Sequence, residues 1–123
     1  VGRRLGMLDE GTFASPAYLE KHGTPLSLEA LAGHRMIGFV STKTKLVIPL
    51  EFQTTDGVSV IDVPVGMTVT AADAMACLAI HGHGLIQLPR YRVATELREG
   101  LLVEVLPGFA PTPTPVYLDH FQI

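Results

Sequence analysis

Thiol and imidazole side chains are the groups of this sequence best suited to covalent or metal chemistry, and two of them stand at a helical spacing. Cys77 and His81 are four residues apart, so on a helix they share one face and could form a thiolate–imidazole pair or supply two metal ligands. Cys77 is flanked by alanine and leucine, which instead predicts a buried, unreactive thiol. His81 and His83 straddle the expected end of that helix, so their rings need not converge on a metal ion.

The carboxylates give no catalytic pattern either. The glutamates are scattered along the chain without the pairing that acid–base catalysis uses. They are Glu10, Glu20, Glu29, Glu51, Glu96, Glu99 and Glu104. The sequence has no G-x-S-x-G motif, phosphate-binding loop or zinc signature. We therefore predict a protein that is not an enzyme and that uses no cofactor or metal.

Two junctions at which a strand runs directly into a helix are the better candidates for a binding site. Ser15-Pro16 and Thr70-Ala71-Ala72 each open a predicted helix, where free N–H groups and the helix dipole favour an anion. Open α/β sheets bind ligands at the carboxyl ends of their strands. We expect both junctions to face one groove and to contact a small anionic ligand. Helix capping by the two hydroxyls, at about 1 kcal/mol each, would equally account for the residue types.

A polar loop is the third candidate. Ser41 and Thr42 begin a segment that combines hydroxyl donors with the cation of Lys43, between a predicted strand and an apolar run. Loops of this kind carry specificity in many binding proteins. A solvated turn is the alternative interpretation, and the sequence leaves both open.

Alternating strands and helices must position these candidates. The expected strands cover 5–14, 36–39, 58–63, 67–69, 84–88, 101–106 and 116–118, with an apolar run at 46–52. The expected helices follow Ser15, Ser27, Thr70 and Pro89, and glycines 23, 82 and 100 end three of them. The helix after Thr70, with a capping box from Thr70 to Asp73, is apolar on nearly every side and should be buried. This alternation predicts a single α/β domain whose sheet is at least partly parallel.

Composition excludes several classes of protein. The 123 residues are 47% hydrophobic and 17% charged, which is enough apolar mass for a core and argues against disorder. A formal net charge of −3 gives no field for gripping a phosphate backbone. The single cysteine and the absence of a membrane-length apolar run favour a cytoplasmic protein with no membrane partner.

Three segments, in fixed order, resemble the LysR-type transcription regulators of bacteria. The first is FASPAYLEKHGTPLSLEALAGHRMIGF, which is similar to the family's ASPAYLxxHG stretch. The second runs from TVTAADAMACLAIHGHGLIQLP to LREGLLVEVLP, and the third is PTPTPVYL. Two sites depart from the family pattern: Thr70-Ala71-Ala72 replaces Asn-Asp-Ala, and Gly82-His83-Gly84 replaces Gly-Leu-Gly. His22 and His34 match family positions at helix ends, where a charged imidazole is favourable.

The resemblance implies the second subdomain of an effector-binding domain with the type 2 periplasmic-binding-protein fold. Such a subdomain has three α/β/α layers and a mixed sheet of about five strands. Residues 1–123 would form one shortened domain, with its core at about 15–107 and crossover segments at 1–14 and 108–123. A small, anionic effector would bind between two subdomains. DNA would be bound only by a helix-turn-helix domain that these residues do not include, in a homodimer or tetramer. The alternative is a solute-binding transport protein of the same fold.

Overall fold

The structure is a computed structural model that describes residues 4–117. Its strands are β1 Arg4–Leu8, β2 Glu10–Ala14, β3 Met36–Val40, β4 Val47–Ile48, β5 Leu50–Thr54, β6 Gly57–Ile61, β7 Val65–Val69, β8 Ile86–Pro89, β9 Val103–Val105 and β10 Thr114–Tyr117. Its α-helices are α1 Pro16–His22, α2 Ala72–Ile80 and α3 Ala94–Arg98. Short 3-10 turns cover Glu29–Gly33, Arg90–Val93 and Pro107–Phe109. The last predicted strand begins two residues earlier than expected, and Leu118 lies outside the described residues.

One mixed sheet forms the centre of the fold. β2 lies between β8 and β9 and is antiparallel to both, while β3 is parallel to β7. A parallel bridge between Met36 and Leu85 joins the two halves, so the strand order is β9, β2, β8, β3, β7. This confirms the predicted mixed α/β sheet of about five strands.

Glycine at position 84 is what lets the two halves of the sheet meet. Its φ of +152° disfavours side chains, and a Cβ there would stand 2.9 Å from the Arg35 carbonyl oxygen. That close approach allows Leu85 to donate its N–H to the Arg35 carbonyl and to accept the N–H of Ile37. The parallel contact between β3 and the start of β8 therefore depends on a residue without a side chain.

The two faces of the sheet bury separate hydrophobic clusters. Neighbouring residues such as Phe13 and Ala14, or Met36 and Ile37, divide between the clusters because successive strand residues point to opposite faces. One face is covered by α1, the turn around Leu31 and the β5–β6 hairpin. The other is covered by α2 and the Arg90–Arg98 segment. The three layers are thus confirmed, with a β-hairpin as part of one outer layer.

Two helix starts behave differently. The Ser15 hydroxyl accepts the Tyr18 N–H at 3.1 Å, so the predicted cap of α1 is confirmed. The predicted capping box at Thr70 is wrong: α2 begins at Ala72, its N-cap is Ala71, and no side chain caps it. β7 runs on through Val69, and the chain turns before the helix can start, which leaves Asp73 in the first turn next to the positive end of the dipole.

Helix α2 is also less buried than expected. Met75 and Ala79 are its buried residues, while Asp73 and Cys77 are exposed. The helix lies on one face of the sheet and buries only the side that contacts it. Its alanines are apolar, but their side chains are small, so leaving them on the outer side exposes little apolar area. Among residues 4–117, no helix has the length and apolarity that a bilayer crossing requires.

Candidate functional site

The carboxyl ends of β3, β7 and β8 meet at one edge of the sheet, because these three strands run in the same direction. Ser41 and Thr42 follow β3 directly, and Thr70 and Ala71 follow β7 directly. Since β3 and β7 are paired neighbours, the structure brings these two predicted segments, with Ala72 at the start of α2, to the same edge. We call this side of the molecule the binding edge.

A cavity of about 420 Å³ opens where β3 and β8 diverge beyond the Met36–Leu85 bridge. Such a position, outside the carboxyl ends of strands in an open sheet, is where α/β folds bind ligands. Its apolar lining consists of Met36, Ile37, Phe39, Ile48, Pro49, Leu50, Met75 and Pro111. Its polar lining consists of Glu10, Glu51, Gln87 and Thr114. The cavity therefore offers a mainly apolar wall with a few polar groups.

Gln87 connects the two elements that border the cavity. Its side-chain amide nitrogen donates to the Thr12 hydroxyl at 3.0 Å and to the Glu51 carbonyl at 2.8 Å. Its amide oxygen accepts the Glu51 N–H at 3.0 Å. The side chain thus pairs with both backbone groups of Glu51 as a neighbouring strand would. It holds the β5–β6 hairpin against the main sheet.

Glu10 stands where the chain enters the sheet. One of its carboxylate oxygens accepts a hydrogen bond from the Thr114 hydroxyl at 3.2 Å, which links the first residue of β2 to the first residue of β10. Burial raises the pKa of Glu10, and the charge of Glu51 raises it further, while the Thr114 hydrogen bond and the charge of Arg90 act in the opposite direction. Glu10 is therefore easier to protonate than an ordinary glutamate.

An ion pair closes the same corner of the sheet. Arg90 donates its backbone N–H to the Asp9 carbonyl at 2.8 Å, and its guanidinium forms a two-point contact with the Glu104 carboxylate, with Nε to Oε1 at 3.2 Å. Bidentate pairs of this kind fix geometry as well as charge. Arg90 is thus held by Glu104, and it is not part of the cavity lining.

The predicted residues at the binding edge differ in the hydrogen bonds that they make within the protein. The Ser41 hydroxyl accepts the N–H groups of Lys43 at 3.2 Å and Thr44 at 3.4 Å, so it organises its own turn. Thr42, Thr70 and Ala71 are exposed. None of the predicted residues at this edge lines the cavity itself, although Phe39 of β3 and Met75 of α2, which are close to them in sequence, do.

Ser15 and Pro16 lie elsewhere. Because β2 runs against β3, β7 and β8, its carboxyl end falls at the opposite edge of the sheet. A Cβ added at Gly82, just past the end of α2, would stand 3.6 Å from the Ser15 hydroxyl, whereas Thr70 lies just before the start of α2. The expectation that both junctions face one groove is therefore wrong, and antiparallel pairing of β2, which the sequence pattern did not reveal, is the reason.

The Cys77 and His81 pair is present but is not arranged for catalysis. Cys77 is exposed, so the predicted buried thiol is wrong. The His81 Nδ1 atom is 3.9 Å from the Cys77 sulfur but 2.8 Å from the Cys77 carbonyl oxygen. Because a carbonyl only accepts, this nitrogen carries a proton and is not free to take the thiol proton. Within the described part of the chain, no three metal-ligating side chains gather at one point.

A buried histidine lies at the edge opposite the cavity. His34 is 8% exposed, and its Nδ1 atom is 2.8 Å from the Tyr18 hydroxyl, which also accepts the Arg35 N–H at 3.3 Å. Burial lowers the pKa of His34, and the neighbouring His22 lowers it further. The expected charged imidazole at a helix end is therefore wrong for His34, which is neutral and accepts the Tyr18 proton.

This histidine makes stability depend on pH. Because the folded-state pKa of His34 lies below its ordinary value of 6.5, protonation favours the unfolded state. The full stabilisation is present above about pH 6.5 and decreases as the pH falls below that value toward the lowered pKa. We expect the melting temperature to drop between pH 7.5 and 5.5, as measured by differential scanning calorimetry.

The matched pair His34→Gln and His83→Gln tests this assignment. Glutamine keeps an acceptor for Tyr18 but does not titrate, so His34→Gln should flatten the pH dependence. His83 is exposed, and its replacement should leave the slope unchanged. Equal slopes in wild type and His34→Gln would show that other groups cause the dependence.

Comparisons with known proteins agree with this architecture. The family model described as LysR substrate binding domain matches residues 1–119. The chain belongs to the LysR substrate-binding domain family. It is 31% identical over 122 residues to the uncharacterized HTH-type transcriptional regulator YhjC of Escherichia coli, and 32% identical over 96 residues to the HTH-type regulator CrgA of Neisseria meningitidis serogroup B.

Solved structures of LysR proteins superpose on this LysR domain. CrgA from Neisseria meningitidis gives a TM-score of 0.78 at 27% identity over 97% of the chain. The Vibrio cholerae virulence activator AphB gives 0.82 at 22% identity over 95% of the chain, a likeness of fold. The chain spans 41% of YhjC, 41% of the CrgA structure and 39% of the AphB structure. The relatives are transcription regulators, so the transport alternative is not supported.

Sequence reasoning missed the polar residues that line the cavity of the LysR domain. Gln87 carried a signal, because it is the polar residue in the apolar run GLIQL of a predicted strand. Glu51 carried a similar signal, as the polar residue in the apolar run at 46–52, whereas Glu10 carried none, since a glutamate within the mixed segment 5–14 is ordinary in sequence. Their importance depends on the pairing of β2 with β8 and on the position of the hairpin.

Proposed function

We propose that this LysR domain is the second subdomain of an effector-binding region, and that a small molecule bound at the binding edge controls DNA binding by the complete regulator. β1 and β10 pair antiparallel as a two-stranded ribbon. The cavity beside this ribbon carries the proposal. A ligand there would lie between this subdomain and a second subdomain connected through the ribbon, as ligands do in the clefts of two-subdomain proteins. Thr70, Ala71, Ala72, Ser41 and Thr42 would contact it from the flanking loops.

The domain boundaries follow from the same ribbon. We infer that the first crossover segment ends at Asp9 and that the second begins after the Pro107–Phe109 turn. A single residue, Asp9, separates β1 in the ribbon from β2 in the main sheet. β2 is paired on both sides and Phe13 is fully buried, which supports counting 10–14 with the subdomain core of about 15–107.

The ribbon also suggests how binding would be transmitted. Glu10 and Thr114 line the cavity and are hydrogen-bonded to each other at the root of the two crossover strands. A ligand that contacts them would favour one orientation of the ribbon, and each 1.4 kcal/mol of preference changes the population ratio about tenfold. In the intact protein this would shift a cytoplasmic homodimer or tetramer that binds DNA through its helix-turn-helix domain. The domain would catalyse no reaction.

The function is tested with the full-length protein. A panel of metabolites is screened by thermal shift, since a ligand stabilises the folded state by mass action. Compounds that raise the melting temperature are then added to the protein on a labelled operator fragment, and DNA affinity is measured by fluorescence anisotropy. We expect at least one to change both quantities. Ligands that stabilise the protein yet leave operator binding unchanged would contradict a sensing role.

Thr70→Ala should weaken the effector response without weakening the fold. Thr70 is exposed and does not cap α2, so its replacement should change the free energy of unfolding by less than about 0.5 kcal/mol. Loss of one hydrogen bond to a ligand should lower affinity about fivefold. Isothermal titration with the screened effector and urea unfolding measure the two effects.

Thr55→Ala is the matched control, since Thr55 is exposed in the β5–β6 turn and outside the cavity lining. It should alter neither quantity. If Thr70→Ala reduced stability while affinity stayed constant, the residue would be structural and the binding edge would lose this contact.

A further inference from the structure

Building on the proposed function, we propose that the cavity binds a ligand with an apolar body and a protonated amine, and that Glu10 and Glu51 receive the amine. This reverses the anionic effector that the helix starts had suggested. The proposal concerns the chemical class of the ligand at the same site.

The charges of the lining carry this inference. Two acidic residues, Glu10 and Glu51, line the cavity, and its lining within the described residues holds no lysine, arginine or histidine. The other polar members, Gln87 and Thr114, are already hydrogen-bonded to protein groups. An anion in this cavity would be repelled by two like charges at short range, whereas a cation would be attracted.

The two carboxylates also repel each other. Glu10 is partly buried, and burial is the main cause of its raised pKa; the Thr114 hydrogen bond and the charge of Arg90 lower the pKa, and the charge of Glu51 adds a smaller increase. A cation placed between them would replace this repulsion with two attractions and would favour the ionised form of Glu10. Binding of an amine should therefore release protons near the raised pKa of Glu10, which an uncharged ligand would not do.

The cations near the binding edge offset the two carboxylates only in part. Lys43 and Lys45 are exposed in the loop after β3 and do not line the cavity. Arg90 is paired with the Glu104 carboxylate and does not line the cavity, although its charge lowers the pKa of Glu10. The first turn of α2 could favour an anion through its dipole, but Asp73 occupies that turn. The remaining wall is apolar, which fits a hydrocarbon or aromatic body.

Three ligands of nearly equal shape test the class of ligand in the full-length protein. They are 2-phenylethylamine, 2-phenylethanol and 3-phenylpropionate, titrated by calorimetry at pH 7 in two buffers of different ionisation enthalpy. We expect the amine to bind about tenfold more tightly than the carboxylate. As the pH is lowered toward the raised pKa of Glu10, amine binding should release an increasing number of protons.

Charge-removing variants locate the effect. Glu10→Gln and Glu51→Gln should each weaken amine binding about tenfold and leave the alcohol nearly unchanged. Glu20→Gln, which makes the same charge change on an exposed face of α1 outside the cavity, should have no effect. Tighter binding of the carboxylate, equal binding of the three compounds, or an amine affinity insensitive to both variants would overturn the proposal.

The two proposals fail in different ways. Carboxylate preference would remove the amine class and leave the sensing function standing, with Lys43 and Lys45 as the next residues to replace. Absence of any metabolite effect on operator binding would instead remove the sensing function, even if the cavity bound amines in calorimetry.

Discussion

Phe13→Ala is expected to lower the free energy of unfolding by about 3–5 kcal/mol, the largest stability effect of any single substitution considered for this domain. Phe13 is 0% exposed in β2, between β8 and β9, and belongs to the cluster that α2 covers. Removing its ring leaves a void that the other members of the cluster cannot fill without shifting. Urea unfolding of the complete effector-binding domain, followed by circular dichroism, measures the loss.

Phe39→Ala is the matched comparison. Phe39 packs against the same cluster from the end of β3 but is only partly buried and borders the cavity. Its loss should be less than half that of Phe13, because water can enter the space that the ring leaves. Equal losses would mean that the Phe39 ring is packed as closely as the Phe13 ring and that its border on the cavity does not reduce the cost.

The parts of the fold that depend on local rules could be predicted from the sequence. Ser15 followed by Pro16 marks a helix start through the hydroxyl cap and the fixed φ of proline, and α1 begins there. Gly82 and Gly100 follow the ends of α2 and α3, where their positive φ of 84° and 74° suits glycine. Apolar runs of strand length predicted β3 and β8 within two residues of their observed bounds.

The position of the site could not be predicted, because it depends on strand direction. Ser15 and Thr70 look alike in sequence, each following a strand and preceding a helix. Their separation to opposite edges follows from the antiparallel placement of β2, which long-range pairing with β8 and β9 determines. The sequence around Ser15 does not indicate that β2 is antiparallel to its neighbours. The segments after β3 and β7 reach a common edge because those strands are parallel.

Burial was misjudged where small residues were counted as core. The alanines of α2 raise its apolar content without needing burial, and so Cys77 was expected inside although it faces outward. His34 shows the opposite error. A histidine at a helix end suggested a charged imidazole, whereas His34 is buried against Tyr18, sixteen residues away in sequence, and burial lowers its pKa.

Two contacts connect the cavity to the parts of the domain that a ligand would have to move. Glu10 and Thr114 join at the root of the ribbon, and Gln87 joins the hairpin to the sheet. All three residues line the cavity. A ligand there would therefore touch the ribbon and the hairpin at once. One binding event could then change the orientation of two elements that are far apart in the sequence.

Gln87→Leu is expected to destabilise the domain by about 3 kcal/mol, because it removes three hydrogen bonds and leaves their partners in poor contact with water. Thr12 is 1% exposed, so its hydroxyl would lose a donor that water cannot easily replace. The Glu51 N–H and carbonyl would both lose their partners on the Gln87 side chain. Urea unfolding measures the stability change, and hydrogen exchange at the Glu51 amide reports the hairpin contact directly.

Gln53→Leu is the control on the same hairpin. Gln53 is exposed two residues along β5, and the same substitution there should change stability by less than about 0.5 kcal/mol. Faster exchange of the Glu51 amide in Gln87→Leu but not in Gln53→Leu would show that the side-chain amide holds the hairpin. If Glu51 stayed protected in Gln87→Leu, the hairpin would be held by Leu50 and Phe52 packing alone, and a ligand could not loosen it through Gln87.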